Sequence, residues 1–150
     1  GNVATRLAKV AAGEFDGTLL AAAGLDRLGM AGTGVTIETS EMLPAASQGA
    51  IGIDCLSARA DMAALLAPLN DAETFACVIA ERAFLAALGG TCHSPVAALA
   101  TVEHGKVWLQ GQILGEDGSE SHLGEGDDPS ALAAALLAKA SPELAALFTS

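Results

Sequence analysis

Val96-Ala97-Ala98-Leu99-Ala100-Thr101-Val102-Glu103-His104-Gly105-Lys106-Val107-Trp108-Leu109-Gln110-Gly111-Gln112-Ile113-Leu114 is the stretch that sets the fold class. Two extended runs, Val96 to Glu103 and Lys106 to Leu114, flank His104-Gly105, a two-residue hairpin signal of the Asn-Gly type with the weaker His in first place. Asp117-Gly118 marks a second turn, and Ser121 to Leu123 reads as a third strand. Upstream, Asp71 caps a predicted helix with Phe75, Val78, Ile79, Leu85 and Leu88 on one stripe and Gly89-Gly90 as its stop. Downstream, Asp128-Pro129 opens a last helix through Leu132, Leu136 and Leu137, with proline at its first position. Helix, three-stranded antiparallel meander and helix make a small α+β domain over residues 71–150.

Toward the N-terminus the pattern changes. Val3, Leu7 and Val10 are spaced for a short amphipathic helix with Asn2 as N-cap and Gly13 as stop. Thr18 to Ala23 is an apolar run that reads as a buried strand, and Leu25 to Gly29 as one helical turn. Val35 to Thr39 alternates like a strand, and Ile51 to Cys55 is strand-like as well. Between them, Met42 to Ala50 is rich in small residues and reads as a crossover. Ser57 is positioned to cap a helix through Met62, Leu65 and Leu66 to Pro68. Mixed helix and strand in this order predicts part of an α/β domain ahead of the α+β one.

Composition narrows the function classes. The 150 residues are 51% hydrophobic with 17 Gly and a net charge of −11, which excludes disorder and a coiled coil. No apolar run reaches the roughly 18 residues of a membrane span, and no secretory pattern opens the chain, so a cytoplasmic location and no membrane partner are expected. The acidity argues against nucleic acid, whose phosphates call for clustered Lys and Arg. Three cysteines, Cys55, Cys77 and Cys92, cannot form a complete disulfide framework, and reduced thiols are expected. The acids from Glu116 to Asp128 read as a solvated rim with helix-dipole complementation, and no metal site is expected there. The opening Gly1-Asn2-Val3, without Met and inside a helix, suggests a piece of something longer.

Two sets of residues suit chemistry. Cys92 lies in Leu88-Gly89-Gly90-Thr91-Cys92-His93-Ser94-Pro95, a loop where two glycines free the backbone and a proline fixes the exit. A thiol there is reachable, whereas Cys77 in a helix and Cys55 at a strand end read as small apolar residues. A helix C-terminus disfavours a thiolate, so a weakly activated thiol that captures a reactive electrophile fits better than a protease-like nucleophile. Arg6 follows Thr5 in the first turns of the first helix, where backbone N–H groups and the dipole favour an anion and a guanidinium adds a carboxylate fork. Arg27 follows Ala23-Gly24, at a predicted strand end of the kind where α/β sheets bind ligands. Each arginine by itself also reads as an ordinary surface charge.

Four blocks in order resemble porphobilinogen deaminase, also called hydroxymethylbilane synthase. They are Gly1 to Leu7 (GNVATRL), Leu20 to Gly29 (LAAAGLDRLG), Leu43 to Ile53 (LPAASQGAIGI), and Ala80 to Leu85 (AERAFL) running through Cys92 to Pro95. The resemblance covers the chain from its first residue to its last helix and is to the C-terminal half of that enzyme. It implies two α/β domains related to periplasmic binding proteins followed by a small α+β domain. Residues 1–45 would be the later part of the second domain, 46–70 the return segment completing the first, and 71–150 the third. It also implies that Cys92 carries a dipyrromethane cofactor through a thioether. On that primer four porphobilinogen units are deaminated and joined head to tail into hydroxymethylbilane for haem and chlorophyll synthesis.

Ammonia loss from an aminomethylpyrrole leaves an azafulvene-like cation that a modest thiol or a pyrrole carbon can attack. Each ring bears an acetate and a propionate, which need N–H donors and guanidinium groups. The resemblance assigns such carboxylates to Arg6, Arg27 and the Asn2-to-Thr5 helix start, Thr5 included, with Gln48 in the cleft segment. The family's catalytic aspartate and its serine- and arginine-rich stretch belong before Gly1, so no catalytic residue is expected here and this piece alone is expected to be inactive. The implied partners are porphobilinogen, the polypyrrole chain and an N-terminal half, in cis or in trans. Ser47 and Thr91 depart from glycines common in the family and are expected to stiffen the crossover and the cofactor loop. Leu56 stands where arginine is frequent. The alternative from another class is a noncatalytic binding module with an ordinary loop cysteine.

Overall fold

His104 and Gly105 both adopt positive φ, 52° and 77°, the hand that a two-residue turn needs to match the twist of its flanking strands. They join β1 (Val96–Glu103) to β2 (Lys106–Leu114), and β3 (Ser121–Gly126) completes an antiparallel sheet in the order β1-β2-β3. The register pairs Glu103 with Lys106 at the turn and Val96 with Ile113 at the far end. The computed structural model describes residues 2–91 and 93–148. The chain divides into two compact units, residues Gly1–Glu38 and Thr39–Ser150.

In the second unit, helix α4 (Ala72–Ala87) begins at Asp71, whose side chain accepts the Thr74 N–H, and ends at Leu88 with Gly89 at φ 70°. Helix α5 (Pro129–Leu137) is capped by Asp128, which accepts from the N–H groups of Ser130 and Ala131, and α6 (Pro142–Ala145) by Ser141. These helices cover one face of the sheet, and Phe84, Leu88, Leu109, Ile113 and Leu136 are its most deeply buried side chains. Gly111 in β2 has no side chain because the Phe84 ring lies against it. Full burial of such a ring stabilises the unit by about 1.5–3 kcal/mol. The buried side of α4 runs through Cys77, Ala80, Glu81, Phe84 and Leu88. Phe75 and Ile79, expected on the core stripe, are instead about half exposed, because the sheet contacts the helix along the neighbouring face.

The extended segments expected upstream do not form strands. In the first unit, α1 (Val3–Ala11) and α2 (Ala22–Arg27) are present, so Ala22 and Ala23 belong to a helix rather than to the predicted strand 18–23. Helix α2 ends with Gly29 at φ 69° and the Met30 N–H on the Leu25 carbonyl, a left-handed C-terminal turn. Residues 18–21, 35–38 and 51–55 enter no ladder. A strand is held by the N–H and C=O groups of a neighbour, and among the described residues none lies beside them. Their apolar side chains are accordingly exposed, 93% at Val35 and 77% at Ile51. The partial α/β domain is therefore not seen as a sheet, while the α+β domain is.

The predicted Ser57 cap is not used. Helix α3 (Ala60–Leu66) starts two residues later behind Arg59, whose guanidinium instead makes two bonds to Asp61, at 2.8 and 2.7 Å. No single described helix is long and apolar enough to cross a membrane.

Candidate functional site

Helix α1 is organised by Asn2. Its Oδ1 accepts both the Thr5 N–H at 2.8 Å and the Thr5 hydroxyl at 2.9 Å. Thr5 therefore spends both donors on the cap and presents its hydroxyl lone pairs outward. The next residue, Arg6, is exposed, and its Nη1 donates to the Leu19 carbonyl at 3.2 Å, which ties the segment before α2 to α1. Arg27 is exposed in the last turn of α2, where the helix dipole favours a cation. The remaining base of this unit, Lys9, is paired with Glu14 at 3.3 Å and lies 5.5 Å from the Phe15 ring centroid. Among the described residues no carboxylate neutralises Arg6 or Arg27, so both guanidinium groups are open to an external one.

The second unit presents Gln48 in a cleft of about 470 Å³ bounded by residues Ser47–Ala50, the first half of α4 and the end of β1. Glu73, Thr74, Cys77 and Glu81 also line it. Cys77 is half-buried, and burial, followed by the fields of Glu81, Glu73 and Asp71, pushes its thiol pKa up. That suppresses the thiolate and makes Cys77 a packing residue, whereas Cys55 is exposed.

Sequence reasoning gave Glu81 no role, yet it organises this cleft. Its side chain is buried, with the residue 7% exposed, and it bridges two segments. Oε2 accepts the Ser47 N–H at 2.6 Å and Oε1 the Ala100 N–H at 2.9 Å. Ser47 sits at φ 62°, a conformation that glycine adopts most readily, and its Oγ accepts from Arg82 Nε at 3.3 Å. Nearby, the Pro44 carbonyl accepts the Ala98 N–H at 2.9 Å. The crossover is thus fastened to β1 and α4 at three points. An acid in the register Cys77, Glu81, Phe84, Leu88 was the available signal, because charge on a buried stripe must find partners.

Cys92 lies outside the described residues. The residues beside it form a tight turn in which the Ser94 N–H donates to the Thr91 carbonyl at 3.1 Å and the Thr91 N–H to Ser94 Oγ at 2.9 Å. The His93 N–H donates to Thr91 Oγ1 at 3.2 Å, so the threonine hydroxyl adds a bond inside the loop. Gly89 and Gly90 precede the turn, and side chains there would run into the Phe148 carbonyl and Leu85. Across the sheet, Glu120 accepts from the Ser141 hydroxyl and N–H and meets His122 Nε2 at 2.7 Å. The Ser141 hydroxyl first, then its N–H and His122, hold the Glu120 pKa down at about 2. This acid of the predicted rim fastens α6 to the sheet.

The described geometry comprises two exposed guanidinium groups in the first unit and, in the second, a small α+β domain whose helix α4 runs into the glycines Gly89 and Gly90. Residues 1–64 match the family described as "Porphobilinogen deaminase, dipyromethane cofactor binding domain". Residues 75–145 match "Porphobilinogen deaminase, C-terminal domain". The chain belongs to the porphobilinogen deaminase family. It is similar to the porphobilinogen deaminase of Sphingopyxis alaskensis, 52% identical over 99% of this chain and 49% of the relative. The porphobilinogen deaminase of Chromobacterium violaceum is 52% identical over 79% of this chain and 39% of its own length. That of Thiobacillus denitrificans is 46% identical over 93% and 47%. The chain spans about half the length of these curated relatives.

Proposed function

We propose that this chain is the C-terminal half of a hydroxymethylbilane synthase, a transferase of tetrapyrrole biosynthesis. In this reading residues 1–45 are the later part of a second domain, 46–70 the return segment of a first, and 71–150 the cofactor-carrying third. The observation that carries the reading is the pair of family matches, in the expected order and spanning both units. Two exposed guanidinium groups without carboxylate partners among the described residues support it, since the ligand expected there is a polycarboxylate.

The dipyrromethane group, when bound, supplies a nucleophilic pyrrole carbon on which the chain of rings is extended. The residues of this chain hold and orient. Cys92 anchors the group covalently from a loop whose neighbours Thr91 and Ser94 are hydrogen-bonded into a turn. Arg6 and Arg27 take acetate and propionate groups, the Thr5 hydroxyl accepts from a protonated carboxyl or a pyrrole N–H, and Gln48 presents an amide donor from the cleft wall. In this reading proton transfer falls to the part of the relatives' length that this chain does not span. The chain alone is therefore expected not to turn over.

The test is consumption of porphobilinogen by this chain alone, by an N-terminal half alone, and by the two produced together. The reading expects turnover only from the pair, reduced by Arg6→Ala and by Arg27→Ala. A pair that binds but consumes nothing contradicts it and favours a noncatalytic module.

A further inference from the structure

The geometry points to Glu81 as a positioning residue: its carboxylate clamps the crossover backbone at Ser47 to the edge of β1 at Ala100 and thereby sets where Gln48 stands in the cleft.

The chemistry of the two donors explains why a charged residue occupies a buried place. β1 is an edge strand, and the N–H groups of Ala98 and Ala100 on its free side have no partner strand among the described residues. The Pro44 carbonyl takes the first and Glu81 Oε1 the second, so the crossover and α4 together protect an edge that would otherwise be open. The same carboxylate reaches across to the Ser47 N–H at 2.6 Å. Two donors arriving from two segments require an acceptor at both ends of one group. A carboxylate provides that, whereas a glutamine offers one oxygen and turns an NH2 toward the other N–H. Burying a carboxylate is costly unless it is well bonded. A merely apolar stripe would fill the same place without joining the segments.

Gln48 follows the clamped residue directly, and Ser47, Gln48 and Glu81 line the same cleft. Ser47 holds a left-handed backbone that a non-glycine residue adopts only under constraint, and the constraint has two parts, Glu81 on its N–H and Arg82 on its hydroxyl. With the clamp in place the amide of Gln48 leaves the turn in one direction. Without it, residues 47–50 are free to relax toward the right-handed region. The positioning role rests on the reading of Gln48 as a ligand-facing residue given above, whereas the clamp does not.

Two measurements test the two parts. Amide hydrogen exchange on this chain should rise about tenfold or more at residues 47–50 in Glu81→Gln, with the β2 to β3 amides unchanged. Unchanged exchange at 47–50, or a rise spread evenly over the whole unit, overturns the clamp. If Glu81→Gln fails to fold, scalar couplings across the hydrogen bonds of the unaltered chain, from the Glu81 carboxyl carbon to the Ser47 and Ala100 nitrogens, decide instead. Their presence supports the clamp and their absence overturns it. The positioning role is read in the paired enzyme by a double-mutant cycle on the KM for porphobilinogen. Glu81→Gln should raise KM about tenfold beside Gln48 and leave it unchanged beside Gln48→Ala. Independent, multiplying effects overturn the positioning role alone. If Gln48→Ala has no effect, the ligand reading of Gln48 fails, the positioning role falls with it, and the exchange result stands.

Discussion

The unit formed by residues 2–38 buries one described side chain, Leu25, whereas the unit that follows encloses Phe84, Ile113 and Leu136 completely. Both carry apolar runs of similar strength. The difference is where the hydrogen-bond partners of an extended segment come from. Val96 to Gly126 supplies three strands joined by short turns, so each finds its neighbour within a few residues. Thr18 to Ala21 and Val35 to Glu38 have no such neighbour among the described residues, and Leu19, Val35 and Ile37 are left exposed. A hydrophobic run is therefore half of the specification of a strand, and the partner is the other half.

Removing core from the better-packed unit should give the largest effect. Phe84→Ala is expected to destabilise residues 39–148 by about 3–5 kcal/mol in urea unfolding, because a fully buried ring leaves a cavity. Leu25→Ala should leave that transition in place and raise amide exchange only in α1 and α2. A single transition lowered equally by both would break the comparison. Next in size, Gly111→Ala drives a methyl into the Phe84 ring and should cost about 1–3 kcal/mol by the same measurement.

Caps sharpen the contrast at a smaller scale. Asp128→Ala removes the acceptor for two N–H groups at the start of α5 and should lower the stability of the second unit by about 1 kcal/mol. Asn2→Ala should fray α1 and leave the second unit unchanged. The smallest effect is one of pH. Because the folded Glu120 pKa is depressed to about 2, its contribution is fully present above the ordinary glutamate pKa and is lost as pH falls through about 2. Ser141→Ala should therefore shift the urea midpoint more at pH 6 than near pH 2, where only the loss of the α6 cap remains. An equal shift at both would show that the serine acts through the cap alone.

Much of the second unit was legible because its signals are local. Asp71, Asp128 and the Asp117-Gly118 turn each act within four residues, and the His104-Gly105 turn fixes the register that follows. Phe75 and Ile79 misled, since periodicity gives a stripe but not which edge of it the sheet covers. Ser57 misled because Arg59 and Asp61 bond to each other and start α3 later. In the candidate site, the arginines were visible as residue types next to helix ends. Glu81 was not, because its partners Ser47 and Ala100 are 34 and 19 residues away. Long-range backbone acceptance leaves no motif.

The intact mass of this chain, purified after production together with an N-terminal half, bears most directly on the proposed role. The account predicts a protein heavier by two pyrrole rings, with the increment lost in Cys92→Ala and kept in Cys55→Ala and Cys77→Ala. An unmodified mass from an otherwise folded pair, or an increment that survives Cys92→Ala, would contradict it.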